Sequence, residues 1–498
     1  MMPQLGPELE SAAVIRPLPL LLALAIAQGA NAAELSDGVK PYVKHGTKRI
    51  VLAHVRVIDG TGAPAVEDRN VTIEGGKITA IAPGADVAAS PDTTVLDLRG
   101  RTVLPGLVGM HDHMYYIARP NLDAAGHSED PLVVPQMTFS APRLYLANGV
   151  TTVRTTGSVE GYADINLRDL IDAGQLVGPH MEVTAPYMQG KSPLFMQMYQ
   201  LKDADDARRF VAYWADAGAT SFKAYMHITR DELKAAIDEA HKRGLKVTGH
   251  LCSVTYPEAI AAGIDDLEHG FFVNTDLAKD KQPDVCPIQS TTAFVDHVEA
   301  DSAEAKALIA SLVARKVAIT STLPVFENAL PNRPPLNPRA MDTLTTEART
   351  AYLFARNRAA SQPAEAAARI TRNYQRNLAM ERAFFKAGGL LLAGCDPTGN
   401  GGTIPGFADL RELELLVEGG FTPVEAIRVA TLNGATYLGR DKRIGSVETG
   451  KNADLFVVSG DPSKTIADIA NVELVLKDGV AYDPAKLLDS VKGRYGQY

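Results

Sequence analysis

Two histidines spaced two residues apart, His111 and His113, close the stretch VLPGLVGMHDHM. The preceding run is apolar and reads as a strand. Alternate residues of a strand share a face, so both imidazoles can converge on one ion. Imidazole is a common ligand for zinc and related divalent ions. One His-x-His pair carries little weight alone. It gains weight because further ligand types recur at the ends of later strand patterns: Lys223 in TSFKAYM, His250 in LKVTGH, His269 in IDDLEHG and Asp396 in GLLLAGCD. Four of the eleven histidines fall at such ends. One or two zinc ions held by this set would lower the pKa of water and polarise a carbonyl under attack. A neighbouring Asp can take and return the proton. Lys223 is the odd member, since an ammonium repels a cation. It ligates only when neutral or as a carbamate, an anionic bridge between two metals.

Positioning these groups requires a particular framework. Eight strand patterns, at 106–113, 150–157, 180–186, 220–226, 245–250, 264–270, 317–323 and 389–396, alternate with helical stretches such as 231–244 and 423–439. That order reads as a (β/α)8 barrel, in which catalytic groups sit at the C-terminal ends of strands. An open doubly wound sheet is the rival, but no Gly-x-Gly-x-x-Gly follows the first strand. Residues 48–103 and those after 441 instead alternate in short, Gly- and Pro-punctuated strands. They imply one small β domain built from both chain ends. The expected division is a signal peptide at 1–33, the N-terminal portion of that β domain at 34–103, the barrel at 104–440, and the C-terminal portion of the β domain with a tail at 441–498. Long connections at 271–316 and 324–388 are expected to form a lid over the barrel mouth.

The 498 residues are 46% hydrophobic and 22% charged, with a net charge of −9. There is no block of Lys and Arg, which argues against nucleic acid as a partner. Arg16, the apolar run PLPLLLALAIAQG and the small residues Ala30 to Ala33 have the order of a secretory signal. Export to the periplasm or beyond is therefore expected, with no membrane span in the mature chain. Three cysteines, Cys252, Cys286 and Cys395, argue against a disulfide framework. A Cys252–Cys286 bridge is open to an oxidising compartment, but a buried free thiol is the expected state of each.

The stretches LPGLVGMHDH, GVTTVRTTG, FKAY, VTGH with PEAIAAGIDDLEHG, LLLAGCD and ATLNGATYLG…IGSVETGKNADLFVV together resemble the metal-dependent amidohydrolase superfamily. They are most similar to its imidazolonepropionase-like branch, which includes exported prolidase-like dipeptidases. The resemblance spans about residues 48–480 and implies a distorted (β/α)8 barrel with a small composite β-sandwich from both chain ends, and roles for the strand-end residues. His111, His113 and Asp396 would hold a first Zn2+, His250 and His269 a second, and carboxylated Lys223 would bridge them. Asp396 would also move the proton, and Tyr225 would hydrogen-bond the substrate carbonyl. TTG ends the second strand where relatives often carry an Asp-containing turn. The implied reaction is metal-bridged hydroxide attack on the amide of a dipeptide or N-acyl amino acid with an apolar or aromatic portion. A cyclic amide is the alternative substrate, and a non-catalytic scaffold the alternative class. A homo-oligomer is compatible with all three. Candidate substrate contacts are Tyr115, Arg154, Phe195 and Met196; the last two lie in the Met- and aromatic-rich loop PYMQGKSPLFMQMYQ.

Overall fold

The computed structural model describes residues 35–118, 132, 134–279, 281–397 and 401–496. The signal peptide expected at 1–33 lies outside the described residues. Seventeen strands occur among those described. β1 to β6 are Val43–His45, Arg49–Val57, Val66–Glu74, Lys77–Pro83, Thr93–Asp97 and Arg101–Pro105. β7 to β14 are Leu107–Asp112, Val150–Thr155, His180–Val183, Ser221–Ala224, Lys246–Gly249, Asp266–Glu268, Ala318–Ser321 and Leu391–Ala393. β15 to β17 are Leu455–Ser459, Val472–Lys477 and Val480–Tyr482.

The chain ends meet in one nine-stranded sheet of order β1-β17-β16-β15-β6-β2-β3-β4, with β5 added on β2. β15, from the C-terminal region, pairs antiparallel with β6 from the N-terminal region in a continuous register from Leu455↔Pro105 to Ser459↔Arg101. Alternating Ile50, Leu52, Leu455 and Val457 place their apolar faces in a shared core with Val71 and Leu474.

All eight strand patterns of the middle region are strands. β7-β8-β9 form one parallel sheet and β10-β11-β12-β13-β14 another. β7, β8 and β10 are buried throughout, as expected of parallel strands covered on both faces. Beyond β9 the chain continues beside β10, with Ala185 N–H donating to Ser221 O and Met188 N–H to Lys223 O. Beyond β14, the Asp396 N–H donates to His111 O at 2.9 Å. Gly394 makes that approach possible, because any Cβ there would collide with the His111 backbone.

The strands are shorter than their sequence patterns, so several ligand-type residues fall one to three positions past a strand end. Two of them, His269 at φ 69° and Asp396 at φ 55°, occupy left-handed backbone. That conformation is costly for non-glycine residues and often marks a functional turn. Helices connect the strands; Arg230–Lys242, for example, is capped by Thr229 and Glu232 in a reciprocal box. Among the described residues, the long connections contain the helices Ala303–Arg315, Thr346–Ala360 and Ala364–Lys386. Cys252 and Cys286 form a disulfide with Cα atoms 4.8 Å apart, which corrects the expectation of free thiols at these two positions. Cys395 is free and buried, as expected.

Candidate metal centre

Alternation along β7 aims His111 and His113 to one face and Asp112 to the other. Nε2 of His113 lies 3.2 Å, and Nε2 of His111 3.5 Å, from Asp396 Oδ1. The ligand atoms of these three buried residues lie within 4.8 Å of one another. Asp396 Oδ1 is enclosed and has no hydrogen-bond partner. An orphaned carboxylate oxygen facing two imidazoles is costly unless a cation completes it. The His/His/Asp donor set therefore fits a divalent ion.

The remaining imidazoles border this group. The His111 and His269 rings are 4.6 Å apart by centroid, and those of His250 and His269 4.4 Å. Lys223, fully enclosed, donates from Nζ to His111 Nε2 and to Thr156 O, each at 3.1 Å. All six strand-end residues are thus brought to one locus.

Burial holds His113 down to about 4 and His250 down to about 3, and lowers His269 well below the ordinary imidazole range. At neutral pH these rings are uncharged, the state that ligates metal. Burial likewise lowers Lys223 to about 8, against the pull of Glu268 and Asp396. Burial alone would raise Asp396, but His111, His113 and His269 overrule it and hold the carboxyl well below its usual range.

A second layer orients the rings. His111 Nδ1 donates to Glu268 Oε2 at 2.6 Å, and His113 Nδ1 to Gly157 O at 3.1 Å. Both bonds commit the Nδ1 proton and turn Nε2 toward the centre, where that of His111 accepts from Lys223. Glu268 is held in turn by Arg154 Nη2 at 2.8 Å and by the Thr248 hydroxyl. Arg154 also donates to Asp266 Oδ2 and Met110 O, both at 2.8 Å.

Arg154 is therefore not a substrate contact in the mouth. It is 1% exposed beneath the histidines, and its charge is committed to Glu268 and Asp266. Met196 is 78% exposed. Phe195 is buried in a cluster with Tyr115, Tyr187 and Met198, against which Tyr225 packs. Tyr115 stacks on His113 with centroids 4.5 Å apart, and its hydroxyl bonds that of Tyr187. Tyr225 packs edge-on to His250 at 5.2 Å. Phe326, from the connection expected to form a lid, meets His269 edge-on at 5.8 Å.

Sequence reasoning missed Glu268 and the group behind the centre. There the Cys395 thiol donates to Asp112 Oδ1 and Asp409 Oδ2, each at 3.3 Å. Strand alternation at His-Asp-His predicts the outward face of Asp112, but nothing local identifies Cys395 and Asp409 as its partners.

The family model described as "Amidohydrolase family" matches residues 102–481. An N-acyl-D-aspartate deacylase of Alcaligenes xylosoxydans xylosoxydans is 25% identical over 225 residues, covering 44% of this chain and 39% of that relative. The chain thus spans well under half the length of that curated relative. Among solved structures, a putative prolidase from Bifidobacterium longum is 25% identical, with TM-score 0.62, covering 89% of this chain and 99% of that one. A Xaa-Pro dipeptidase with bound methionine is 22% identical, with TM-score 0.64, covering 87% and 100%. A match across the whole strand–helix region and the β6 and β15–β17 side of the nine-stranded sheet leaves a single assignment: this chain belongs to the amidohydrolase family.

Proposed function

We propose that this chain is a metal-dependent hydrolase of amide bonds, acting on a dipeptide or an N-acyl amino acid with an apolar or aromatic portion. The observation that carries the reading is the orphaned Asp396 Oδ1 facing the buried imidazoles of His111 and His113. The deacylase and dipeptidase relatives support the choice of amide. The aromatic wall of Tyr115, Tyr187, Phe195 and Tyr225 supports an apolar portion. A cyclic amide is the second substrate class, with no specific contact in its favour.

In this reading His111, His113 and Asp396 hold one divalent ion, His250 and His269 a second, and Zn2+ suits the donors. The bound ions would supply acidified water and a polarised carbonyl. Asp396 takes the proton of the attacking water and returns it to the amide nitrogen as the C–N bond breaks and the C–O bond forms. Tyr225 donates its hydroxyl to the carbonyl oxygen; burial and Asp396 keep that hydroxyl protonated. Tyr115 and Tyr187 shield His113 from bulk water. The two parallel sheets act as one closed barrel, the long helical connections as its lid, and the nine-stranded sheet as the flanking domain.

A library of Xaa-Pro and other dipeptides, N-acyl amino acids and cyclic amides, screened on the zinc-loaded chain, tests the substrate class. Turnover confined to cyclic amides, or absent throughout with ions bound, removes it. Lys223 would serve as the bridging carbamate, its neutral amine adding to carbon dioxide and releasing a proton, and its lowered pKa favours that amine. Lys223→Ala is then expected to lose one of two ions by elemental analysis; retention of both removes the bridge. Export is supported by the Cys252–Cys286 bridge, since such bonds persist in oxidising compartments. Cell fractionation that recovers the chain in the cytoplasm removes that reading.

A further inference from the structure

We propose a separate divalent-ion site made by His180, Asp454 and Asp478, where the parallel sheet β7-β8-β9 abuts the nine-stranded sheet. His180 is the first residue of β9, so the site lies at the opposite strand ends from the metal centre. Asp454 immediately precedes β15, and Asp478 occupies the turn between β16 and β17.

The three ligand atoms lie within 4.8 Å of one another. His180 Nε2 is 3.0 Å from Asp478 Oδ2 and 4.0 Å from Asp454 Oδ2. Ligands held at about 2.0–2.2 Å from one tetrahedral zinc ion stand about 3.3–3.6 Å apart. The cluster therefore needs a closing movement of up to about 1 Å at its widest, at the exposed Asp478 side chain.

Two observations point to a ligand rather than to a closed ion-pair group. Asp454 is 3% exposed, and its Oδ2 has no hydrogen-bond partner, although Oδ1 accepts from the Asp478 N–H at 2.7 Å. His180 Nε2 is likewise enclosed without one, its approach to Asp478 being misaligned for a hydrogen bond. On the other side of the ring, Nδ1 faces Asp172 Oδ1 at 3.7 Å. Burial would lower His180, but Asp172 and Asp478 raise it to about 9, so an incoming ion takes the place of the Nε2 proton.

One imidazole and two carboxylates make a neutral complex with a divalent ion of the zinc or manganese class. Lys477, 3.2 Å from Asp478 Oδ2, is the cation that the ion must displace from that oxygen. Filled, the site clasps helix Gly161–Asp172 and β9 to β15 and the β16–β17 turn.

The test uses the full chain with its catalytic ions in place and Zn2+ alone as the probe, followed by equilibrium dialysis with elemental analysis. The wild type is expected to take up one further ion at micromolar Zn2+, with a rise in melting temperature. Asp478→Asn removes a carboxylate at φ 50°, a backbone Asn tolerates, and should bind that ion at least tenfold more weakly with turnover unchanged. Should Asp478→Asn misfold, His180→Gln decides by the same measurement. Uptake only at millimolar Zn2+ means an adventitious ion only and overturns the proposal. Equal uptake by wild type and variants overturns it too, leaving His180 as an imidazolium between acids. None of these outcomes depends on the amide-hydrolase reading.

Discussion

Asp396→Asn should lower kcat by about 10²–10⁴-fold, the usual range for removing a positioned acid–base group, while the fold persists. The fold should persist because Asp396 sits at φ 55°, and Asn is among the few residues that accept left-handed backbone at small cost. Turnover should collapse because an amide oxygen cannot take the water proton that the depressed carboxylate takes. The same substitution also weakens a ligand, so activity alone does not separate the two roles. Ion content measured beside kcat does. Full ion content with lost turnover assigns the loss to proton transfer. Loss of one ion, with partial recovery at saturating Zn2+, assigns it to ligation. Near-normal turnover with full ion content would refute the role of Asp396 in either sense.

The strand-end residues were legible in the sequence because period-2 and helical patterns leave few places for a strand to stop. His111, His113, Lys223, His250, His269 and Asp396 are all placed by that argument. The left-handed turns at His269 and Asp396 were not legible, since neither residue type advertises positive φ as Gly does. Substrate-side assignments fared differently. In the sequence Arg154 offers a cation for a substrate carboxylate, and spacing does not decide where it points. Its position in the register instead aims it inward, where Asp266 and Glu268 arrive from a strand 112 and 114 residues later. Phe195 and Met196 are adjacent in sequence and opposite in burial, which loop composition alone cannot predict. The Cys252–Cys286 bridge depends on two loops meeting, a fact of tertiary structure rather than of cysteine count.

Replacing Arg154 tests whether the layer beneath the metal centre sets its geometry. Arg154→Met keeps length and removes charge, leaving Glu268 and Asp266 as neighbouring buried carboxyl groups. Stranding one side of a buried ion pair costs about 3–5 kcal/mol, so denaturant stability should fall by that order. Some of the cost is escaped by protonation: burial and Glu268 already raise Asp266 to about 7 even with Arg154 present. Glu268 follows the opposite course. Burial would raise it, yet Arg154 and His111 hold it well below its usual range. Its contribution to stability is thus present above the ordinary carboxylate pKa and lost as pH falls through the depressed folded value. In the variant that acid limb should move to higher pH. A protonated Glu268 no longer accepts fully from His111 Nδ1, so metal affinity should drop by about 10–100-fold, as for other losses of an orienting partner. Adding Glu268→Gln to Arg154→Met removes the stranded charge and should restore much of the stability without restoring the affinity. Stability and affinity therefore diverge in the double variant, which simple loss of packing would not produce. If Arg154→Met instead keeps wild-type stability and metal affinity and raises KM only for substrates bearing a carboxylate, Arg154 contacts substrate after all and the orienting chain from Arg154 through Glu268 to His111 is wrong.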